Sequence, residues 1–255
     1  MSPSKLKQRT QNIKLPPPTS FKEPMAPIDN DLPIEFDSRL VWPDTLVGVG
    51  DQGDCGSCWA FAVTTVIANR FAIRGYKLGP LSPQDLVSCD TDDYGCAGSE
   101  LYPAWNWVYG HGAATEECIP YVSGSGRVPM CPSTCADGTK IKRYQPGSID
   151  RVEGEQKMMK ELQERGPIHA NMYTYQDLGY YKSGIYSHKT GSWTGGHAVV
   201  VIGWGVENDV PYWIIQNSWG KLWGENGYFR MRRGTDECNI ESLPVFACSI
   251  RVPRP

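Results

Sequence analysis

A cysteine at the predicted start of a helix is the side chain best placed to do chemistry. Cys58 follows a glycine-rich turn at 48–56 and opens an apolar segment that predicts a helix over 58–74. The first backbone N–H groups of a helix have no partner within it, and the helix dipole is positive there. Both effects favour the thiolate, the nucleophilic form of cysteine. The sequence therefore predicts a reactive thiol at Cys58, which needs a proton-accepting partner.

One histidine has a setting that suits this partnership. The chain holds four histidines, His111, His169, His188 and His197. His197 follows Gly195 and Gly196, which let a substrate backbone approach closely, and it opens a predicted strand that supports the ring. Further along, the Asn217 side-chain oxygen can orient the imidazole, and Trp219 can shield their hydrogen bond from water.

The amide side chain of Gln52 adds an oxyanion donor to these candidate catalytic residues. The Gln52 NH₂ group, with the backbone N–H of Cys58, can stabilise an oxyanion at the helix start. Each feature alone has a structural alternative: a lone histidine before a strand, a turn at 217–220, or a redox motif or two disulfide halves at 55–58. Their order along the chain together favours nucleophilic catalysis.

The elements around these residues predict an α+β fold with two unlike lobes. Helices dominate the first half and short strands the second, and 255 residues suit one large domain or two packed half-domains. Helices are predicted over 58–74, 83–87 with Ser82 as N-cap, 98–109 and 155–165, a loop over 110–150, and strands over 197–205, 212–217, 227–232 and 245–252.

Composition narrows the class of protein. A 40% apolar and 21% charged content is ordinary for a globular protein, and a net charge of −3 gives no reason to expect a nucleic-acid partner. Nine cysteines are an odd number, which suggests four disulfides and one free thiol in an oxidising compartment. A reduced zinc protein is the alternative, but no second CxxC follows Cys55 and Cys58, so no metal is expected.

The first residues carry no targeting signal of their own. Residues 1–31 are polar and proline-rich, without an apolar run long enough for a signal peptide, and no 18-residue apolar segment occurs anywhere. They predict an extended, weakly ordered leader without a clear helix, and the globular part is expected to begin at residue 32. We expect that a signal and part of a pro-segment have been removed; unconventional delivery is the alternative.

Three segments resemble those of papain-like cysteine proteases. Residues 52–61 resemble the active-site cysteine segment, 195–205 the histidine motif, and 212–227, with Trp219 and Trp223, the asparagine motif. The resemblance runs from about residue 32 to the C-terminus, and residues 131–135, 217–230 and 236–242 are most similar to the cathepsin B branch.

This resemblance implies a two-lobed papain-like fold, with a 1–31 leader or pro-segment remnant and a 32–255 peptidase domain. A helical left lobe (about 45–146) and an antiparallel β-barrel right lobe (about 147–250) then enclose the active-site cleft. The implied activity is acyl transfer by Cys58, His197, Asn217 and Gln52 without a cofactor. The implied disulfides are Cys55–Cys96, Cys89–Cys131 and Cys118–Cys135. Cys238–Cys248 follows by elimination, with two free thiols as the alternative.

The same resemblance implies partners and a compartment. Protein and peptide substrates, the chain's own N-terminal segment in the cleft, and cystatin-like or epoxide-type inhibitors are expected, with neither nucleic acid nor membrane. A monomer in a lysosome-like vacuole or outside the cell is expected. The implied substrate-binding residues are Gly98, Ser99, Leu101, Gly195, Gly196, Ala198, Leu243 and Trp219.

Departures from the cathepsin B pattern bear on specificity. No histidine lies between Cys118 and Cys131, so the loop that holds a substrate's C-terminal carboxylate in that branch is too short here. Endopeptidase activity is therefore expected, with little dipeptidyl-carboxypeptidase activity. Ser99 replaces a glycine and can narrow the S3 region. Leu243 replaces an acidic S2 residue and, with Leu101 and Ala198, implies an apolar S2 pocket, which predicts Leu, Val or Phe at P2.

Two rival functions stay open at this stage. A thiol–disulfide oxidoreductase would use Cys55 and Cys58 together, but it needs a thioredoxin-like context that the glycine-rich segment does not supply. A non-catalytic binding protein on the same fold would be expected to lack the nucleophile. Thiol titration separates the first rival, because a protease should have Cys55 bonded and Cys58 free.

Overall fold

The computed structural model describes residues 1–10, 15, 31–100 and 102–251. The α-helices are α1 Pro3–Thr10, α2 Ser38–Val41, α3 Cys58–Ile73, α4 Pro83–Cys89, α5 Pro103–His111 and α6 Glu155–Arg165. The strands are β1 Phe36–Asp37, β2 Pro146–Arg151, β3 Ile168–Tyr175, β4 Ile185–Tyr186, β5 Trp193–Glu207, β6 Val210–Gln216, β7 Tyr228–Arg232 and β8 Val245–Ile250. The predicted α+β class is confirmed.

The long strand β5 joins two hydrophobic cores. Its side chains alternate between the faces of the sheet, as the two-residue period of a strand requires. Val199 and Val201 enter the core of the strand-rich lobe. Ala198 and Val200 enter a second core with α3, α4 and α5. The two lobes therefore meet on the strand that carries His197.

The strand-rich lobe is an open sheet, so the predicted barrel is wrong. The described strands run in the order β2-β8-β3-β5-β6-β7-β4, with β1 paired to β5. The two ends of this path, β2 and β4, do not pair with each other. β4 has only two residues, Ile185 and Tyr186, and it pairs with β7 in parallel.

The sheet contains four strands that the sequence did not predict: the two-residue strands β1 and β4, and the longer strands β2 and β3. β3 lies at its centre, between β5 and β8. Seven of its eight residues are buried. Residues 168–172 nevertheless alternate between apolar and polar side chains, Ile-His-Ala-Asn-Met, which is a strand pattern that was missed. β2 occupies the end of the predicted 110–150 loop and pairs with β8 across a bulge.

The helices agree with the sequence patterns except that α1 and α2 were not predicted and α5 begins later than expected. The Ser82 hydroxyl accepts a hydrogen bond from the Asp85 N–H at 3.0 Å, which is the predicted cap. α5 begins at Pro103 rather than at residue 98, because Gly98 has a φ of 108°, which is not helical, and proline suits the first turn of a helix.

The leader forms a helix, so the prediction of an extended segment is wrong for its first ten residues. Leu6 and Thr10, one helical turn apart, are buried against the rest of the protein. An isolated helix of eight residues is only marginally stable in water, so the packing of the Leu6 and Thr10 side chains stabilises it. Residues 11–14 and 16–30 of the leader lie outside the described residues.

All nine cysteines are described, and six of them form disulfides. Cys55–Cys96, Cys89–Cys131 and Cys118–Cys135 are present, and all three lie in the helical lobe. The Cys238–Cys248 disulfide is wrong, as is the count of four, because both thiols are free and buried. Cys238 packs in the core of the strand-rich lobe and Cys248 in the core against α3, so the sheet separates them.

A buried arginine joins α3 to the strand-rich lobe. The Arg70 guanidinium donates to the Glu161 carboxylate at 2.7 Å and to the Cys248 carbonyl at 2.6 Å. It also donates to the Pro167 and Gly166 carbonyls at 2.8 and 3.0 Å. Its side chain is 2% exposed and that of Glu161 5%. This one side chain therefore satisfies acceptors on three separate segments.

We expect Arg70→Met to lower the free energy of unfolding by about 3–5 kcal/mol, because it leaves a buried carboxylate without this partner. Denaturant midpoints measured with disulfides intact check this. Arg165→Met is the matched control: Arg165 binds the other Glu161 oxygen but is 33% exposed, so its loss should cost about 0–1 kcal/mol. Equal losses for the two variants would contradict the assignment.

Candidate functional site

Cys58 begins α3 at the boundary between the lobes. It is fully buried, and Ser57 before it provides no side-chain cap. Burial raises the pKa of the Cys58 thiol to about 11. The backbone of Ala198, beside His197, hydrogen-bonds the sulfur and opposes that shift, as do the backbone groups of Trp59 and Cys58 at the helix start. The structure thus brings β5 to the Cys58 sulfur.

His197 and Asn217 form a directed hydrogen bond. The His197 Nε2 atom lies 2.8 Å from Asn217 Oδ1, which also accepts from the Ser218 N–H at 2.8 Å. An oxygen can only accept, so Nε2 carries the proton and Nδ1 of the neutral ring is the basic nitrogen. Nδ1 is buried and has no hydrogen-bond partner among the described residues.

Burial also sets the charge of this ring. It lowers the pKa of His197 to about 4, and the positive charge of Arg9 lowers it further, while the Asn217 bond acts in the opposite direction. Trp219 lies over the imidazole with ring centroids 4.8 Å apart, and Trp223 packs edge-on against Trp219 at 4.9 Å. The indole lies where the sequence placed it, beside the His197–Asn217 bond.

Gln52 lies against the same loop as Asn217. Its backbone N–H donates to the Ser218 carbonyl at 2.9 Å, and its Oε1 accepts from the Ser218 hydroxyl at 2.7 Å. The Nε2 group donates to the Cys55 carbonyl at 2.8 Å and to the Arg9 carbonyl at 3.2 Å. Both amide protons are therefore used, one of them by the leader.

The leader helix runs along this site. The Arg9 guanidinium lies 3.4 Å from Asp51, and Gln8 Nε2 donates to the Asp54 carbonyl at 2.8 Å. The Thr10 hydroxyl lies 3.3 Å from that of Thr194. Beyond the helix, Leu15 packs against both cores. The leader therefore contacts the elements that carry Gln52 and His197.

The predicted glycine-rich subsite has an irregular backbone. Gly98 has a φ of 108°, which favours glycine. Ser99 is buried, and its hydroxyl donates to the carbonyl of Glu100, so the side chain is bound within its own loop. Gly195 and Gly196 lie in β5 opposite β3. Leu101, the remaining predicted residue of this segment, lies outside the described residues.

Ala198 and Leu243, the predicted apolar S2 residues, belong to different cores and are connected through Asn171. Asn171 lies directly opposite Ala198 in the sheet. Its amide donates to the carbonyl of Pro244, the neighbour of Leu243, at 2.8 Å. Sequence reasoning missed Asn171 because it lies on the unpredicted strand β3.

The short loop between Cys118 and Cys131 packs against the segment that carries Gln52. The Gly124 carbonyl accepts from the Asp54 N–H at 2.7 Å. A Cβ on Gly53 would meet that carbonyl at 2.2 Å, and Gly53 has a φ of 61°, so both space and conformation require glycine. Among the described residues, no group of three or more His, Cys, Asp or Glu side chains could hold a metal ion.

Comparisons with known proteins agree with this architecture. Residues 32–248 match the family described as papain family cysteine protease. Cathepsin B-like CP2 of Giardia intestinalis is 42% identical over 218 residues, which cover 83% of this chain and 73% of the relative. A procathepsin B from Trypanosoma congolense superposes with a TM-score of 0.87 at 32% identity, covering 99% of this chain and 90% of that one. Bromelain from Ananas comosus, solved with an inhibitor, gives a TM-score of 0.73 at 29% identity, over 86% of this chain and 100% of that one.

Proposed function

Because this chain belongs to the papain family of cysteine proteases, and its relatives are cathepsin B-like, we propose that Cys58 is its nucleophile. In this proposal His197 is the general base and acid, Asn217 orients its ring, and Gln52 with the Cys58 N–H binds the oxyanion. The observation that carries it is the His197–Asn217 bond, which leaves Nδ1 as the basic nitrogen on the strand that reaches the Cys58 sulfur.

The chemistry is acyl transfer. The Cys58 thiol gives its proton to His197 Nδ1, and the resulting thiolate attacks the peptide carbonyl carbon. An S–C bond forms and the C=O π electrons move to the oxygen, which Gln52 and the Cys58 N–H stabilise. When this intermediate collapses, the C–N bond breaks and His197 gives its proton to the leaving amine. Water then attacks the thioester, its proton passes to His197, and the C–S bond breaks. No step needs a metal or an organic cofactor.

The disulfide arrangement argues against the redox rival. Cys55 is bonded to Cys96, and Cys58 is free. A dithiol–disulfide couple between Cys55 and Cys58 would require breaking that bond and rearranging the start of α3.

Three disulfides favour an oxidising compartment, for which we propose a lysosome-like vacuole or the extracellular space. None of the helices in the described ranges is long and apolar enough to cross a membrane.

We propose that residues 1–31 are an inhibitory segment and that the peptidase domain is 32–255. The Arg9 carbonyl accepts from the Gln52 amide, the group that would otherwise bind the substrate oxyanion. Cys58, His197 and Gln52 are all fully buried in this state. Substrate therefore requires displacement of the leader. Epoxide-type and cystatin-like inhibitors are expected to act only after that displacement, on a monomer.

Within the family activity we propose endopeptidase specificity with an apolar residue at P2. The segment between Cys118 and Cys131 has no histidine to pair with a substrate carboxylate. Its Gly124 carbonyl accepts a hydrogen bond from the Asp54 N–H, next to the Gln52 segment. Leu243 and Ala198 are both apolar, and Asn171, which connects them, is hydrogen-bonded to Pro244 and His169. A charged P2 side chain would lose its hydration there without gaining a partner.

Turnover of internally quenched peptides tests this specificity. We expect Leu at P2 to exceed Arg by about 10-fold or more in kcat/KM, because an uncompensated buried charge costs more than 1.4 kcal/mol. A free C-terminal carboxylate and a C-terminal amide should give rates within about two-fold, whereas a carboxydipeptidase requires the carboxylate. Leu243→Glu is the matched variant and should raise turnover of the Arg peptide. Preference for Arg at P2 would refute the apolar P2 specificity. Dependence on the free carboxylate would refute the endopeptidase mode.

A further inference from the structure

Tyr121 connects two segments of the proposed oxyanion site. Its hydroxyl lies 2.7 Å from the Ser57 hydroxyl and 2.9 Å from the Gln52 backbone carbonyl. A carbonyl oxygen can only accept, so the single Tyr121 proton goes to Gln52. The Ser57 hydroxyl must then donate to the Tyr121 oxygen. The result is a directed chain from Ser57 through Tyr121 to Gln52.

The two ends of this chain are the residues that place the oxyanion donors. Gln52 carries the amide NH₂ group, and Ser57 forms the peptide bond whose N–H belongs to Cys58. An oxyanion hole stabilises the transition state only if its donors stand at hydrogen-bonding distance from the developing negative charge. Tyr121 hydrogen-bonds both of the segments that carry these donors and thereby sets the spacing between them.

Tyr121 is itself held firmly. Its ring packs edge-on against Phe61 of α3 with centroids 4.8 Å apart. Its backbone N–H donates to the Glu116 carboxylate at 2.8 Å, and the Gln84 side-chain oxygen accepts from the next two backbone N–H groups, those of Val122 and Ser123, at 2.9 and 3.0 Å.

The protonation of Tyr121 is compatible with this arrangement. Burial raises the pKa of Tyr121 to about 12, and the Ser57 hydrogen bond opposes that shift. The phenol therefore keeps its proton, and remains a donor to Gln52, at any pH near neutrality. Asp51 and Arg9 are the charged neighbours that act on it, with opposite signs.

We infer that Tyr121 is a positioning residue for the oxyanion hole, acting through Gln52 and Ser57; this rests on the proposed function. It does not touch the reacting atoms. Its loss should weaken the stabilisation of a tetrahedral oxyanion and leave the nucleophilicity of Cys58 intact. Those two properties can be measured separately, which distinguishes positioning from a general structural role.

Two kinds of covalent inhibitor measure oxyanion stabilisation and the nucleophilicity of Cys58 separately. A peptide aldehyde accepts the Cys58 sulfur at its carbonyl carbon and places the resulting oxyanion in the hole, with no leaving group. A peptide epoxide is opened by the same sulfur, which forms an S–C bond as a C–O bond breaks, without a tetrahedral intermediate at a carbonyl. The aldehyde therefore reports on the oxyanion hole, and the epoxide mainly on the thiolate.

The variant is Tyr121→Phe, folded as the full chain and assayed after the leader has been cleaved off. We expect kcat for peptide amides to fall about 10- to 100-fold with KM within about two-fold, and aldehyde affinity to fall by a similar factor. The epoxide alkylation rate should stay within about two-fold of the wild type. Tyr109→Phe, at a tyrosine that is 50% exposed, is the matched control and should change none of these.

Gln52→Ala separates this inference from the proposed function. If Gln52→Ala leaves amide turnover unchanged, the proposed oxyanion site itself is wrong. If Gln52→Ala loses turnover and aldehyde affinity but Tyr121→Phe does not, only the role of Tyr121 is wrong. An equal fall of epoxide and aldehyde reactivity in Tyr121→Phe would show that the tyrosine supports the whole site, and it would overturn the inference.

Discussion

Cys58→Ala is expected to reduce peptide-amide hydrolysis by a factor on the order of 10³ or more, to the background of the preparation. The variant removes the atom that forms the thioester, and without it the remaining groups have no acyl carrier. Cys58 is fully buried at the start of α3, where alanine fits the helix well and leaves only the volume of one sulfur atom. Thermal unfolding should therefore remain close to that of the wild type.

The other two free thiols provide the control for this result. Cys238 and Cys248 are buried like Cys58 but belong to other regions of the cores. Cys238→Ala should retain turnover, and mass spectrometry after labelling with a peptide epoxide should place the adduct on Cys58 alone. Turnover near the wild-type rate in Cys58→Ala, purified free of other proteases, would exclude this residue as the nucleophile.

Removal of the leader is expected to produce the second large effect. With the leader in place, burial holds the pKa of Cys58 at about 11, so only about one thiol in 10⁴ is ionised at pH 7. Displacing the leader admits water to the sulfur and frees the Gln52 amide from the Arg9 carbonyl. Hydration favours the charged form, so the pKa falls and the thiolate fraction at pH 7 rises.

A cleavage site for an exogenous protease, inserted before Leu32, allows this test on a chain that has folded with its leader. After cleavage we expect iodoacetamide to alkylate Cys58 at pH 7 at least about 100-fold faster, with amide turnover appearing in parallel. The pH profile of alkylation should move to lower pH, because a lowered pKa extends thiolate formation downward. Uncut protein is the control. Equal rates before and after cleavage, with loss of the leader verified by mass, would mean that the leader does not inhibit.

Removal of the leader should shift the pKa of His197 upward, opposite to the shift expected for Cys58. Burial lowers its pKa to about 4 while the leader is bound, so the ring is neutral at pH 7. Hydration after cleavage favours the imidazolium, and its pKa should rise. With the leader bound, the Cys58 thiol and the His197 imidazole are both neutral. After its removal, access of water favours the thiolate and the imidazolium. Under the proposed inhibition, the leader suppresses the chemistry through solvation as well as by steric cover.

Local patterns were sufficient for the main helices, and they also suggested the four proposed site residues. Glycine-rich turns, helix starts and caps are short-range features, and α4 and α6 begin where their residues indicated. The site residues themselves remain proposals, although the structure brings Gln52, Cys58, His197 and Asn217 together. β3 was missed although Ile168 to Met172 alternate between apolar and polar side chains. Its polar residues His169 and Asn171 are buried, because Trp105 and Pro244, which are distant in sequence, supply their hydrogen-bond partners.

Long-range relations could not be obtained from local patterns. Cys238 and Cys248 both looked available for pairing, but the sheet places them in different cores. The first ten residues looked unstructured, because the surface that stabilises their helix belongs to residues far away in sequence, such as Thr194 and Gly179. Tyr121 carries no motif, and only the approach of its loop to Gln52 and Ser57 suggests a role.

The sequence by itself therefore determined the chemical inventory: a thiol at a helix start, a histidine on a strand, and the amides that can orient and assist them. Residue type and short spacing encode these properties, because they depend on the local backbone. The tertiary structure decided which groups meet and how water reaches them. It placed the leader helix against the Gln52 segment, with the Arg9 carbonyl on the Gln52 amide, since burial and hydrogen-bond direction arise only when distant segments pack together.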